Sequence, residues 1–142
     1  MTALVVIACH FKSENELCDT TIRRLEIALA KERQLTQRPW TPIWVTGKVP
    51  YKKGGDTLGE FMKTYLSERD ITPGNIAIGR GVGIFSEARN VTAEITDVLG
   101  KGTRILVISS DWYLWAGRPI WRKFGRERGL EVAFLPVRNT GG

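Results

Sequence analysis

The sequence predicts one Rossmann-like α/β domain, a mainly parallel sheet of about five strands with helices on both faces. Three observations predict it. Ala3–Cys9 and Thr103–Ser109 are unbroken aliphatic and β-branched runs, the pattern of strands buried on both faces, and are expected to lie side by side at the centre of the sheet. Strand-like and helix-like segments alternate along the chain, which calls for right-handed crossovers and hence a parallel sheet. The 142 residues suit a single domain, 1–142, large enough to bury a core without disulfides or a structural metal.

Each element has its own warrant. After the first strand, Ser13 with Glu16 three residues on has the spacing of a capping box, predicting a helix from about Glu14 to Arg33. Its inward stripe is Cys18, Ile22, Leu25 and Leu29, with Arg23, Arg24, Glu26, Lys31 and Glu32 elsewhere on the helix. Pro39 and Pro42 end that helix, and Ile43–Thr46 is the second strand, followed by a polar, basic loop from Gly47 to Gly55. Asp56 or Thr57 caps a helix with Leu58, Phe61, Met62, Tyr65 and Leu66 inward and Glu60 outward. Thr72-Pro73-Gly74 turns into a third strand, Asn75–Ile78. Ser86 is expected to cap a third helix with Val91, Ile95, Val98 and Leu99 inward, ended by Gly100 and Gly102. Trp112 to Arg128 reads as a fourth helix with Trp115, Ile120, Trp121 and Phe124 apolar, kinked or delayed by Gly117-Arg118-Pro119. Leu130–Val137 is the last strand.

Composition narrows the class. The apolar runs are too short to span a bilayer, and Ala3–Cys9 lacks the flanks of a signal peptide, so a soluble cytoplasmic protein is expected. Cys9 and Cys18 are too few for a disulfide framework and are expected to stay reduced. Two cysteines and one histidine in no metal spacing argue against zinc. The net charge of +6, with basics concentrated at Lys48-Lys52-Lys53 and over Arg118–Arg128, fits either a solvated helix face or an anionic partner.

In parallel sheets ligands bind beyond the carboxyl ends of the strands, where loops and helix N-termini bring unpaired N–H groups together. Ser109, Ser110 and Asp111 stand at such an end, and Tyr113 just beyond can either pack in the core or, like Trp112, stack on a ring such as adenine. Gly79-Arg80-Gly81-Val82-Gly83 resembles a phosphate loop, but its third glycine stands too early for a dinucleotide fingerprint. His10 ends the first strand, and Glu87 opens the third helix, where a carboxylate serves as a dipole partner, a hydroxyl anchor or an acid and base. No Gly-x-Ser-x-Gly elbow surrounds Ser109 and Ser110, and no histidine follows them, which disfavours a hydrolase triad.

Several of these segments together resemble the SanA/YdcF-like family, also called the domain of unknown function two-one-eight. They are Arg24-Leu25-Glu26-Ile27-Ala28-Leu29, Thr46-Gly47, the helix Glu60–Leu66, Pro73-Gly74-Asn75-Ile76, Glu87 and Ser109–Tyr113. Where the family has Asn-Thr-x-Glu-Asn ahead of the third helix, this chain has Ile84–Ala88 and keeps the glutamate alone. The family's histidine position falls on Tyr113, and its arginine falls on Ala116, with Arg118 close by. The resemblance implies a Rossmann-like fold and suggests S-adenosylmethionine as a cofactor.

These features favour a small anionic or nucleotide-like ligand, and an enzyme of unspecified reaction. Glu87, His10 and Ser110 are the candidate catalytic groups, with Gly47, Lys48, Gly79, Gly81, Ser109, Asp111, Tyr113 and Arg118 as ligand contacts and no metal. A basic nucleic-acid-binding module is the weaker alternative, since no recognised motif accompanies the charge. A non-catalytic, self-associating scaffold presenting Trp112, Trp115 and Trp121 is the third.

Overall fold

A computed structural model describes residues 1–35 and 40–138, and for Trp112 the backbone alone. Strands β1 (Thr2–Val6), β4 (Ile43–Val45), β5 (Ile76–Ile78), β6 (Arg104–Ser110) and β7 (Glu131–Val137) form one sheet in the order β5-β4-β1-β6-β7. Every pairing in it is parallel, and β1 sits between β4 and β6 as the two longest apolar runs predict. The chain first builds outward from β1 through β4 to β5, then crosses back to place β6 on the other side of β1. This Rossmann-like order has its switch point between β1 and β6.

Strand alternation divides the core into two layers. Leu4 and Val6 of β1, Ile43 and Val45 of β4 and Leu106 and Ile108 of β6 face helices α1 (Asp19–Gln34) and α2 (Leu58–Ser67). Their neighbours on the opposite face, Ala3, Val5, Trp44, Ile105 and Val107, face α3 (Ile84–Leu99) and α4 (Asp111–Glu127). Both faces are therefore covered, which is why these strands read as continuous apolar runs.

Four local expectations are corrected. Ser13 Oγ does bond Glu16 Oε1 at 2.9 Å, yet inside a small antiparallel hairpin of β2 (Phe11–Ser13) and β3 (Glu16–Leu17), not at a helix start. Phe11 packs edge-on against Phe61 and Tyr51, and this apolar contact holds the hairpin, so α1 begins later, with Cys18 as its cap. The buried face of α1 holds the expected Cys18, Leu25 and Leu29 but is wider than that stripe, with Arg24 and Glu32, expected elsewhere on the helix, buried as well. Helix α3 starts at Ile84 with Gly83 as its cap, three residues ahead of the expected Ser86 cap, and its Val98 is exposed. Helix α4 runs through Pro119 without interruption. Trp115, whose carbonyl loses its partner there, is 85% exposed instead of packed, so water can serve that carbonyl.

Other warrants agree with the structure. Thr57 caps α2 and closes a capping box with Glu60. Gly100 and Gly102 follow α3, both with positive φ. Pro39, expected to end the first helix, lies outside the described residues. No helix among those residues is long and apolar enough to cross a membrane.

Candidate functional site

A cleft of about 230 Å³ opens at the carboxyl ends of β1, β4 and β5. Ala8 and Cys9 border it after β1, Gly47, Lys48 and Val49 after β4, Leu58 at the start of α2, and Gly81, Val82, Gly83 and Glu87 after β5. Two glycines make this convergence sterically feasible. Gly47 has φ +103°, and a Cβ there would lie 2.7 Å from Leu58 Cβ, so only glycine lets α2 close against the β4 loop. The Gly59 amide donates to the Gly47 carbonyl across this junction at 2.8 Å. Gly81, at φ +109°, leaves the space that Ser86 occupies, which folds the glycine loop tightly onto the first turn of α3.

Glu87 is the ionisable group this packing perturbs most usefully. Its side chain is buried, and among the described residues no lysine or arginine pairs with it. Loss of hydration raises its pKa to about 7, and a hydrogen bond from Thr46 opposes the shift without cancelling it. The Thr46 hydroxyl, fully buried, accepts from the Ala8 amide at 2.9 Å. One threonine thus ties the end of β1 to the carboxyl group of Glu87. A carboxyl poised near neutrality beside an open cleft can give or take a proton, or accept from a ligand hydroxyl.

Beside the cleft, at the switch point, Arg24 reaches from α1 across the sheet ends. It donates to the Ile7 carbonyl at 2.7 Å and to Ser110 Oγ at 2.5 Å, clasping the ends of β1 and β6. Its Nε has no partner among the described residues, and burial pushes its pKa down, against the pull of Cys9, Cys18 and Tyr113. Arg24 occupies the ground where ligands of open α/β sheets commonly bind, and the cleft lies to one side, over β1, β4 and β5.

Cys9, His10 and Cys18 form a third cluster, their donor atoms all within 4.8 Å of one another. Cys9 Sγ and His10 Nδ1 are 2.9 Å apart, and Cys18 Sγ accepts from the Thr21 amide at 3.4 Å as the cap of α1. Both thiols are free. Burial pushes the Cys9 thiol up. For Cys18, hydrogen bonds from Thr21 and the backbone outweigh desolvation, the largest single influence, and leave its pKa lowered.

Of the residues singled out from the sequence, Gly47, Lys48, Gly81 and Glu87 come together on the cleft. His10 is exposed at its edge, in contact with Cys9. Gly79 is buried where α3 packs on β5, a Cβ there meeting Val91 at 2.5 Å. Ser109 is wholly buried, its hydroxyl without a partner among the described residues, and Ser110 is buried under Arg24. Tyr113 lies in the α3/α4 core and accepts from Trp121 Nε1 at 3.3 Å, while Asp111 is exposed at the start of α4. Arg118 is not brought to the cleft: its guanidinium lies over the Phe134 ring at 5.5 Å, on the β7 side of the sheet. Stacking by Trp112 concerns a side chain outside the described residues.

Thr46, Cys9 and Arg24 escaped the sequence reading as site residues. Arg24 looked like one basic residue on a solvated helix face, and only its spacing from Leu25, Ala28 and Leu29 could have hinted at burial. The fold and cleft define a Rossmann-like α/β domain with a small carboxyl-end site. No family model, curated protein or solved structure matches the chain.

Proposed function

We propose that this domain binds a small anionic or nucleotide-like molecule in the cleft over β1, β4 and β5, and that Glu87 acts there as acid, base or hydroxyl anchor. The observation that carries the reading is the buried Glu87 carboxyl, with no cationic partner among the described residues and a pKa of about 7, at the wall of a cleft bordered by Gly81, Gly83 and Lys48. The exposed glycine-loop backbone and Lys48 suit the anionic part, and Glu87 suits a sugar hydroxyl or a proton in transit. At about 230 Å³ the cleft encloses only part of such a ligand. Pockets that enclose a drug-sized molecule run from roughly 300 to 1,000 Å³, so the remainder would lie over the basic loop that follows Gly47.

S-adenosylmethionine is the first ligand to try, because the resemblance to the SanA/YdcF-like family suggests it. The two free thiols fit work in a reducing cytoplasm. A thermal-shift panel of nucleotides, phosphorylated metabolites and S-adenosylmethionine identifies the ligand, since a molecule that binds the folded state alone raises its melting temperature. Glu87→Gln keeps the shape and removes the ionisation. We expect it to weaken binding or turnover by about tenfold or more, and an effect within about twofold, below ~0.5 kcal/mol, would sink the role given to Glu87.

A second reading, self-association, has one observation in its favour: Trp115 is 85% exposed on α4. Sedimentation of wild type and Trp115→Ser decides it, a single monomeric species in both removing it.

A further inference from the structure

We propose that Cys9, His10 and Cys18 form a three-ligand site for a thiophilic metal ion, zinc being the divalent ion this donor set fits. The proposal does not depend on what the cleft binds. Nothing in the spacing Cys-His-x7-Cys suggests a metal site, because the hairpin between the ligands supplies the geometry. Phe11–Leu17 folds back on itself, and the Cys18 amide donates to the His10 carbonyl at 3.3 Å, so the residues at the two ends of the hairpin meet. All three donor atoms then lie within 4.8 Å of one another.

Tetrahedral zinc holds sulfur at about 2.3 Å and nitrogen at about 2.0 Å, which sets its donors roughly 3.5–3.8 Å apart. The spread within the cluster is compatible with that, save that Cys9 Sγ and His10 Nδ1 stand at 2.9 Å because they share a proton. A metal would replace that proton, and the exposed imidazole has room to open by several tenths of an ångström. Binding releases the protons of both thiols, and two thiolates with a dication sum to zero charge. Arg24, buried alongside, therefore faces a neutral centre. The Thr21 amide and hydroxyl, 3.4 and 3.3 Å from Cys18 Sγ, are the outer partners that orient a metal-bound thiolate. Three protein ligands leave a fourth position for water or substrate, as in catalytic and not structural zinc sites. Cys9 also borders the cleft, so the ion would sit at the cleft's edge.

The test uses the whole chain, reduced and stripped with a chelator, then titrated with cobalt(II) and with zinc. One equivalent of cobalt should produce a thiolate-to-cobalt charge-transfer band with the visible bands of a tetrahedral ion, both bleached by zinc. Cys9→Ser and Cys18→Ser should abolish the charge-transfer intensity in part or whole and weaken zinc by on the order of 100-fold, at least as much as loss of an outer partner. Serine still caps α1 in place of Cys18. His10→Ala, at an exposed position that leaves the core untouched, should weaken zinc while keeping the sulfur band. A folded, fully reduced protein with no such band overturns the proposal, and so does uptake that all three variants leave unchanged.

Discussion

At Glu87 the cost of burial has a measurable sign. Its carboxyl titrates at about 7 in the fold against an ordinary value of 4.5. Between those values the folded state keeps a proton that the unfolded chain has lost. The stabilising contribution is therefore complete below about pH 4.5 and lost as pH rises through 7, a change on the order of 3 kcal/mol. Denaturant unfolding from pH 5 to pH 8 should show wild type losing stability relative to Glu87→Gln, and parallel curves for the two would refute it. Residue types made Glu87 legible as a candidate, because a carboxylate after a glycine loop at a helix start is visible in the chain. Its perturbation was not legible. That depends on burial by segments distant in the chain, which outweighs the opposing hydrogen bond from Thr46, and on the lack of a cationic partner among the described residues, neither of which the local sequence can reveal.

Among the elements, α2 shows local signals prevailing and α1 shows them overridden. In α2 the Thr57 hydroxyl accepts from the Glu60 amide at 3.2 Å while the Glu60 carboxylate accepts from the Thr57 amide at 3.2 Å. Thr57→Ala should cost about 1 kcal/mol of stability, read as a lower denaturation midpoint with unchanged slope. An unchanged midpoint would mean that packing of Leu58, Met62 and Leu66 alone holds this helix. The similar Ser13 and Glu16 spacing did not start α1, because Phe11 gains more by packing against Phe61 and Tyr51 than a cap contributes. Those contacts join residues forty and fifty positions apart, so no window around Ser13 contains them.

For the molecule as a whole, charge and site make opposite demands on salt. A nucleic-acid surface built from many of the 21 basic residues would lose affinity steeply with salt, with a slope of about one unit per phosphate neutralised. The cleft presents one exposed lysine, Lys48, along its wall. A ligand held there should show a log–log slope of about −1 or shallower. Titration across a salt series checks this, and a slope of about −5 or steeper would favour the basic surface over the cleft.

The sequence by itself determined the layers and the pairing of the two central strands, and it set the end of the sheet where a site is expected, because burial on both faces and right-handed crossovers are written in hydrophobic period and element order. It also marked Gly47, Lys48, Gly81 and Glu87, whose types are informative wherever a parallel sheet ends. Only the tertiary structure decided the rest. Arg24 clasps β1 to β6, Cys18 returns to Cys9 and His10, Arg118 points away, and Ser109 is sealed inside. Each of these outcomes rests on contacts between distant segments, and a side chain's exposure is set by those neighbours instead of by its own chemistry.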